Sequence, residues 1–158
     1  MIEVDLVMPS EQASGREEFP TLQWARRLCE AANNDSYLAE IGKEIEETIE
    51  AVIENAPTGD TVRLLFSIAE GRCIDVTKLP PDAGNRGSII IQADYETWLE
   101  MLCGELSPTM AYFRGKLRLP KGGLRLLLRY PLLHYQLYYL ASNLTTQCQS
   151  KERLGKGE

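Results

Sequence analysis

The sequence predicts a single α+β domain, on the basis of strand order and length. Three runs of apolar and β-branched residues, at 61–69, 72–79 and 87–93, follow one another with only short links between them. Consecutive strands joined in this way favour an antiparallel meander over a doubly wound nucleotide-binding fold. With 158 residues, 44% of them hydrophobic, the chain is long enough to bury one substantial core.

The first 60 residues are predicted to be an arm and two helices that pack on the domain. Residues 1–18 are polar and aperiodic, which indicates a loose arm. A first helix is expected from Pro20 to Ala32, with the proline near its first position. A second is expected from Tyr37 to Asn55, because apolar residues recur there at helical spacing. This stripe, interpreted as core or interface, consists of Leu38, Ile41, Ile45, Ile49, Val52 and Ile53.

The strands are separated by clear turn signals. Glu70-Gly71 predicts a tight hairpin between Thr61–Ala69 and Arg72–Leu79. In the next strand, Gly87–Ala93, Ile89 to Ile91 are apolar on both faces, which predicts a central position in the sheet.

The helices that follow carry their own start and stop signals. Asp94 is expected to cap a helix that ends at Gly104, and Ser107-Pro108 to begin a shorter one that stops at Gly115. Alternation over Lys116–Leu119 predicts an amphipathic strand before a glycine turn.

The last predicted element is a long apolar helical region from Leu124 to Leu144. Pro131 must kink it or divide it, because proline removes a backbone hydrogen bond and clashes with the preceding turn. Arg125 and Arg129 fall on one face and would suit contact with a lipid interface. The polar residues after Ser142 are predicted to be frayed, with a flexible tail over 146–158.

The charge of the chain disfavours one class of partner. The net charge of −6 makes nucleic acid a poor partner. Residues 1–60 hold 14 acidic and 4 basic residues, whereas residues 105–158 hold 3 acidic and 9 basic. This asymmetry has two readings: ordinary solvated faces, or a basic C-terminal surface that meets anionic lipid headgroups.

Compartment is predicted from the N-terminus and the cysteines. The acidic start lacks the features of a signal peptide, and no run of about 18 apolar residues predicts a membrane span. Four scattered cysteines without a CxxC motif are expected to be buried free thiols. We therefore expect a cytoplasmic protein.

Catalytic chemistry finds little support in the residues. The one histidine, His134, lies among Leu and Tyr residues and is interpreted as a packed helical side chain. Asp94 and Glu96 are interpreted as a helix cap and a first-turn charge. The sequence has neither a GxSxG nor a GxxxxGK[ST] motif, and no metal-ligand spacing. We predict no catalytic residue, no cofactor and no metal.

A set of spaced motifs resembles the sterol carrier protein 2 domain, bacterial or archaeal type. The motifs cover a little under half the chain, roughly Thr61 to Tyr130. They are Ala93-Asp94-Tyr95, Trp98-Leu99, Gly104, Leu106-Ser107-Pro108 and the run Ala111-Tyr-Phe-Arg-Gly-Lys-Leu117. One departure lies in the glycine turn, where Lys121-Gly122-Gly123 replaces the usual glycine followed by an acidic residue or Asn.

The resemblance implies an α+β fold with an apolar cavity. The expected sheet has about five, mostly antiparallel strands, with helices on one face and the N-terminal helices as a lead-in. Residues 61–145 would form a lipid-binding domain that carries or presents a sterol, fatty acyl chain or phospholipid without chemistry of its own. The expected ligand-binding residues are Ile90, Trp98, Met101, Leu102, Met110, Phe113, Leu127, Tyr130 and Leu133.

Two functions of different classes remain open at this stage. The first is a lipid carrier that makes transient contact with a membrane surface. The second is an accessory or scaffold protein in which the cavity is filled and the Leu38–Ile53 stripe binds a partner, including a second copy in a homodimer. An enzyme ranks behind both, for want of a nucleophile or cofactor motif.

Overall fold

The computed structural model describes residues 16–148, which form six helices and one five-stranded sheet. In chain order the elements are α1 (Leu22–Asn33), α2 (Ser36–Ile41), β1 (Glu47–Glu54), β2 (Val62–Ala69), β3 (Arg72–Leu79), β4 (Ile89–Asp94), α3 (Tyr95–Leu102), α4 (Pro108–Phe113), β5 (Arg118–Lys121), α5 (Gly123–Arg129) and α6 (Pro131–Leu144). None of these helices is long and apolar enough to cross a lipid bilayer.

The sheet has the order β3-β2-β1-β4-β5, so the predicted α+β fold with a mostly antiparallel five-stranded sheet is confirmed. Three neighbouring pairs are antiparallel, and β1 and β4 are parallel. The predicted meander is wrong beyond the β2–β3 hairpin, because β4 pairs with β1 and not with β3. A crossover of this kind is set by contacts distant in sequence, which short links between strands do not reveal.

The predicted helix Tyr37–Asn55 is wrong. Its first turn is the short helix α2, and residues 47–54 form β1, the central strand of the sheet. In the segment ETIEAVIE the apolar residues Ile49, Ala51 and Ile53 recur at every second position, and its Ile, Val and Thr side chains favour the pleated conformation. Strand pairing on both sides of β1 therefore outweighs the helical spacing of the same apolar residues.

Alternation along β1 gives the sheet two different faces. The register aligns Ile49 with Phe66 on β2 and with Ile89 on β4, so these three side chains share the face covered by helices. Glu50 and Ile90, one residue further on, point to the opposite face. The core of the domain lies on the helix-covered side.

The local turn and cap signals are confirmed. Glu70-Gly71 forms the β2–β3 hairpin, and a Cβ on Gly71 would lie 2.6 Å from the carbonyl oxygen of Gly42. The Asp94 carboxylate accepts a hydrogen bond from the Thr97 N–H at 2.9 Å, and Ser107 caps α4 in the same way.

The predicted bounds near the two ends of the domain need correction. α1 begins at Leu22 after a Thr21 cap, so Pro20 precedes the helix. β5 lies two residues later than the predicted strand at 116–119 and includes Pro120. The break at Pro131 is confirmed, since α5 ends at Arg129 and α6 starts at the proline.

The predicted fraying after Ser142 is wrong for the residues through Cys148. Thr145 is fully buried, and its hydroxyl accepts a hydrogen bond from the Trp24 indole N–H at 2.8 Å. Thr146 donates its N–H to the Glu17 carbonyl at 2.9 Å, so the end of the predicted arm is held here as well. The rest of the arm, 1–15, and of the tail, 149–158, lies outside the described residues.

The prediction of four free thiols is also wrong. Cys29 is bonded to Cys73, and Cys103 to Cys148, with Cα–Cα distances of 5.5 and 5.1 Å that suit disulfide bonds. The first pair joins α1 to β3, and the second joins the end of α3 to the segment after α6. Partners 44 and 45 residues apart carry no sequence signal of their pairing.

Candidate ligand-binding site

An apolar pocket of about 130 Å³ lies between the sheet and the helices α1, α3 and α6. We call it the inner pocket. Its wall is hydrophobic or aromatic throughout and consists of Phe19, Trp24, Leu28, Cys29, Ala32, Ile49, Ala51, Phe66, Ile68, Cys73, Ile91, Trp98, Leu102, Leu137, Tyr138 and Ala141.

Two periodicities in the sequence build this wall. On α1, Trp24, Leu28 and Ala32 are four residues apart and therefore lie on one side of the helix. On β1, Ile49 and Ala51 are two residues apart and face the helices. A helical stripe thus lies opposite an alternating strand, with the pocket between them.

The inner pocket offers a ligand almost no hydrogen-bonding group. The Trp24 indole N–H is bonded to Thr145, and the Trp98 indole N–H donates to the Val52 carbonyl at 3.0 Å. The remaining polar group is the Tyr138 hydroxyl, which has no hydrogen-bond partner in the part of the chain that the structure describes. Burial raises the pKa of Tyr138, so the phenol is neutral at physiological pH.

A wider groove of about 590 Å³ runs between α6 and the α3–α4 connection. Its wall mixes apolar and polar side chains: Met101, Gly104, Leu106, Ser107, Pro108, Thr109, Leu127, Pro131, His134, Tyr135, Tyr138, Tyr139 and Ser142. Tyr138 therefore lines both spaces. We call this second space the outer groove.

His134 is the one histidine of the outer groove, and its surroundings favour the neutral ring. Burial lowers the pKa of His134, and the opposing contact of its Nε2 with the Leu126 carbonyl, at 3.3 Å, does not restore it. A neutral imidazole beside a carbonyl oxygen donates its Nε2–H to that oxygen. Within residues 16–148, no three His, Cys, Asp or Glu side chains are grouped closely enough to hold a metal ion.

Comparison with known proteins identifies the family. The sequence profile of the SCP-2 sterol transfer family matches residues 25–130, which is about two thirds of the chain. The chain belongs to the SCP-2 sterol transfer family. This membership supports a role in binding or transferring lipids, and no curated protein gives a significant match by sequence.

Solved structures agree with the SCP-2 assignment. A crystal structure of sterol carrier protein 2 is similar over 78% of this chain and 97% of its own, with a TM-score of 0.70 and 26% identity. A conserved hypothetical protein of Thermus thermophilus, described as possibly a sterol carrier protein, is similar over 81% and 91%, with a TM-score of 0.70 and 25% identity. A sterol carrier protein domain of Helicoverpa armigera shares the fold at 23% identity and a TM-score of 0.56, over 73% of this chain and 86% of its own.

The nine residues predicted to bind ligand are not gathered in one place in this SCP-2 domain. Trp98 and Leu102 line the inner pocket, and Met101 and Leu127 line the outer groove. The other five lie elsewhere, each for a reason visible in the fold.

Three of the five are buried or partly buried away from both spaces. Ile90 points to the opposite face of the sheet, because it alternates with the inward-facing Ile89 and Ile91. Tyr130 lines a separate cleft of about 240 Å³, and Leu133 packs in a small second cluster around Ile45. On α4, Met110 and Phe113 are 44% and 74% exposed, since that helix buries Ala111 instead.

Most of the inner-pocket wall was missed because it lies outside the recognised motifs. The predicted lipid-binding domain begins at residue 61, whereas Phe19, Trp24 and Ile49 precede it in sequence. The alternation of ETIEAVIE is the signal that could have placed Ile49 and Ala51 on a strand facing the pocket.

Proposed function

We propose that this protein binds the apolar part of a lipid in its inner pocket, and carries or presents that lipid without catalysing a reaction on it. The observation that carries the proposal is a pocket whose two indole N–H groups are already bonded within the protein. A wall of this kind favours hydrocarbon, at roughly 0.8 kcal/mol for each CH₂ removed from water. It discriminates against a polar group, which would lose its hydrogen bonds to water.

Displacement of a fluorescent fatty acid, with native mass spectrometry of the purified protein, tests this function. The variant Ala32→Phe puts a ring into the inner pocket from α1. We expect it to weaken fatty-acid binding at least about tenfold, which corresponds to about 1.4 kcal/mol. Ala83→Phe adds the same ring to the loop after β3, outside the pocket, and is expected to leave binding unchanged. Absence of bound lipid and of probe binding at micromolar concentrations would overturn the proposal.

The alternative function, a scaffold that binds a partner through the Leu38–Ile53 stripe, loses its basis. That stripe is not a helix face, and four of its six residues are buried in the domain's own core: Leu38, Ile45, Val52 and Ile53. We therefore expect light scattering coupled to size-exclusion chromatography to show that the protein is a monomer.

We further infer that lipid is exchanged at an anionic membrane surface, through an exposed apolar strip on α5 and α6. The strip consists of Leu124 and Leu128 on α5 and of Leu132, Tyr135 and Tyr139 on α6, each set at three- or four-residue spacing on its own helix, and these residues are 38–78% exposed. Residues 106–148, which contain it, hold six basic and no acidic residues. Lys116, Arg118 and Arg125 are paired with glutamates from outside this segment, which leaves Arg114, Lys121 and Arg129 without an ion pair among the described residues. This positive charge disfavours a second copy of the same face and favours anionic headgroups.

Sedimentation with anionic and zwitterionic vesicles separates these partners. Arg125 and Arg129 are exposed on α5, beside the strip. We expect Arg125→Gln with Arg129→Gln to weaken binding to anionic vesicles by roughly thirtyfold, from about 1 kcal/mol for each charge. Arg26→Gln with Lys78→Gln makes the same change in net charge outside the strip and is expected to have little effect. Equal losses in the two pairs would contradict a local docking surface.

A further inference from the structure

The inner pocket and the outer groove meet at one side chain. Tyr138 is the single residue that lines both spaces within the described part of the chain. On α6, its neighbours Leu137 and Ala141 face the inner pocket, while His134 and Ser142 line the groove. Tyr138 therefore borders both spaces.

We propose that the inner pocket and the outer groove are two parts of one lipid site, divided by the Tyr138 side chain, which moves aside when a ligand occupies both. This inference rests on the proposed lipid-binding function and states where the rest of the ligand lies. Space is the first argument for it. At about 130 Å³ the inner pocket is smaller than the ~300–1,000 Å³ typical of ligand sites, and the outer groove of about 590 Å³ falls within that range.

The hydrogen bonding of the aromatic residues is the second argument. The rings of Trp24 and Trp98 are fixed by buried hydrogen bonds of 2.8 and 3.0 Å from their N–H groups. Moving either ring would leave a buried donor without a partner, which typically costs about 1–3 kcal/mol. The Tyr138 hydroxyl has no such bond to break within residues 16–148. Among these three rings, Tyr138 is the one that a rotamer change can displace at least cost.

The distribution of polar groups identifies the class of ligand. Hydroxyl and imidazole side chains line the groove, at Ser107, Thr109, His134, Tyr135, Tyr139 and Ser142, and no such group lines the inner pocket apart from the shared Tyr138. The hydroxyls of Ser107 and Ser142 each make one internal hydrogen bond and can make a second one to a ligand. A ligand that spans both spaces is therefore an amphiphile, with its hydrocarbon end in the inner pocket and a hydrogen-bonding head in the groove. The carboxyl group of a fatty acid is one such head, since it can both accept and donate hydrogen bonds.

A series of saturated fatty acids of increasing length tests this arrangement. Affinity should rise about fourfold for each added CH₂ until the site is full, and then stop rising. The readout is the chain length at which affinity stops rising, which a purely structural change would not alter.

Three variants test what determines the chain length at which affinity stops rising. Tyr138→Trp enlarges the side chain proposed to divide the two spaces. Thr109→Trp fills the outer groove from an exposed position on α4, where a larger side chain does not disturb the core. Both should shorten the limiting chain by about two carbons or more, and so lower the affinity for longer acids by about tenfold or more. Tyr37→Trp, on the exposed face of α2 and outside both spaces, should leave the limit unchanged.

The outcomes separate this inference from the function on which it rests. If the wild-type protein binds no fatty acid of any length, the proposed function itself fails. If it binds them and Thr109→Trp keeps the wild-type limit, the function stands and the joined site is wrong, whatever Tyr138→Trp does, because Tyr138 also lines the inner pocket. A shortened limit in Thr109→Trp alone already supports the joined site, because that residue does not line the inner pocket.

Discussion

The two faces of the sheet are built from alternate residues of the same strands and differ in chemistry along β1. On the helix-covered face, Ile49 and Ala51 of β1 line an apolar pocket. On the opposite face, Glu50 and Glu54 of the same strand are held by hydrogen bonds and ion pairs. A shift of one residue in the register of β1 would exchange the two sets.

On this opposite face, which we call the polar face, both carboxylates of β1 are paired with neighbouring groups of the protein. One Glu50 oxygen accepts hydrogen bonds from the backbone N–H groups of Arg86 and Gly87, at 2.5 and 2.8 Å, and the other accepts one from Arg63 at 2.9 Å. Glu54 is bonded to Gln92 and to Arg118. The charged groups of the polar face are thus paired with each other, whereas the helix-covered face borders the apolar inner pocket.

Breaking the polar face should give the largest loss of stability. Arg63→Met removes the cation from Glu50, whose side chain is fully buried. Removal of one partner from a buried ion pair typically costs about 3–5 kcal/mol. Urea unfolding should show a loss in this range, while the folded variant keeps its affinity for fatty acid. Arg72→Met, on the exposed surface of β3, serves as the control. A loss below about 1 kcal/mol would mean that the two backbone N–H groups hold Glu50 without Arg63.

The two disulfides allow a matched test of how the helix-covered face contributes to fatty-acid binding. They close loops of nearly equal length, with separations of 44 and 45 residues, so removal of either should cost a similar ~2–4 kcal/mol. Only Cys29 and Cys73 also line the inner pocket. We expect Cys29→Ala with Cys73→Ala to weaken fatty-acid binding severalfold, and Cys103→Ala with Cys148→Ala to leave it unchanged. Thermal unfolding and probe displacement measure the two effects, and equal binding in both variants would contradict the expected difference.

Features that depend on neighbouring residues could be predicted from the sequence. The Asp94 and Ser107 caps, the Glu70-Gly71 hairpin and the break at Pro131 each rest on the chemistry of a few consecutive residues. The spaced motifs of residues 93–117 also led to the correct family and fold.

Features that depend on distant pairing could not be predicted. Residues 47–54 fit both a helix and a strand, and their pairing with β2 and β4 decides between the two. The cysteines pair across 44 and 45 residues. Ile90 was expected at the ligand and lies on the polar face, because the direction of its side chain depends on the register with β1. The inner pocket is assembled by these same long-range contacts, which explains why only two predicted residues line it.

The smallest expected effect is a dependence of stability on pH that arises from Glu50 on the polar face. Burial alone would raise the pKa of Glu50, but hydrogen bonds from the Arg86 and Gly87 N–H groups and from Arg63 bring it below its ordinary value of 4.5. Because the pKa of Glu50 is lower in the folded than in the unfolded protein, its stabilising contribution is complete above about pH 4.5 and is lost as the pH falls through the folded-state pKa.

The free energy of unfolding, measured from neutral to acidic pH, checks this contribution. It should fall more steeply below pH 4.5 in the wild type than in Glu50→Gln, which has no carboxylate to protonate at this position. Glu44→Gln, at an exposed position, should keep the wild-type slope. If the curves for wild type and Glu50→Gln are parallel, the negative charge of Glu50 does not contribute to the stability of the folded protein. In that case the hydrogen bonds to Arg86 and Gly87, and not the charge, would account for its burial.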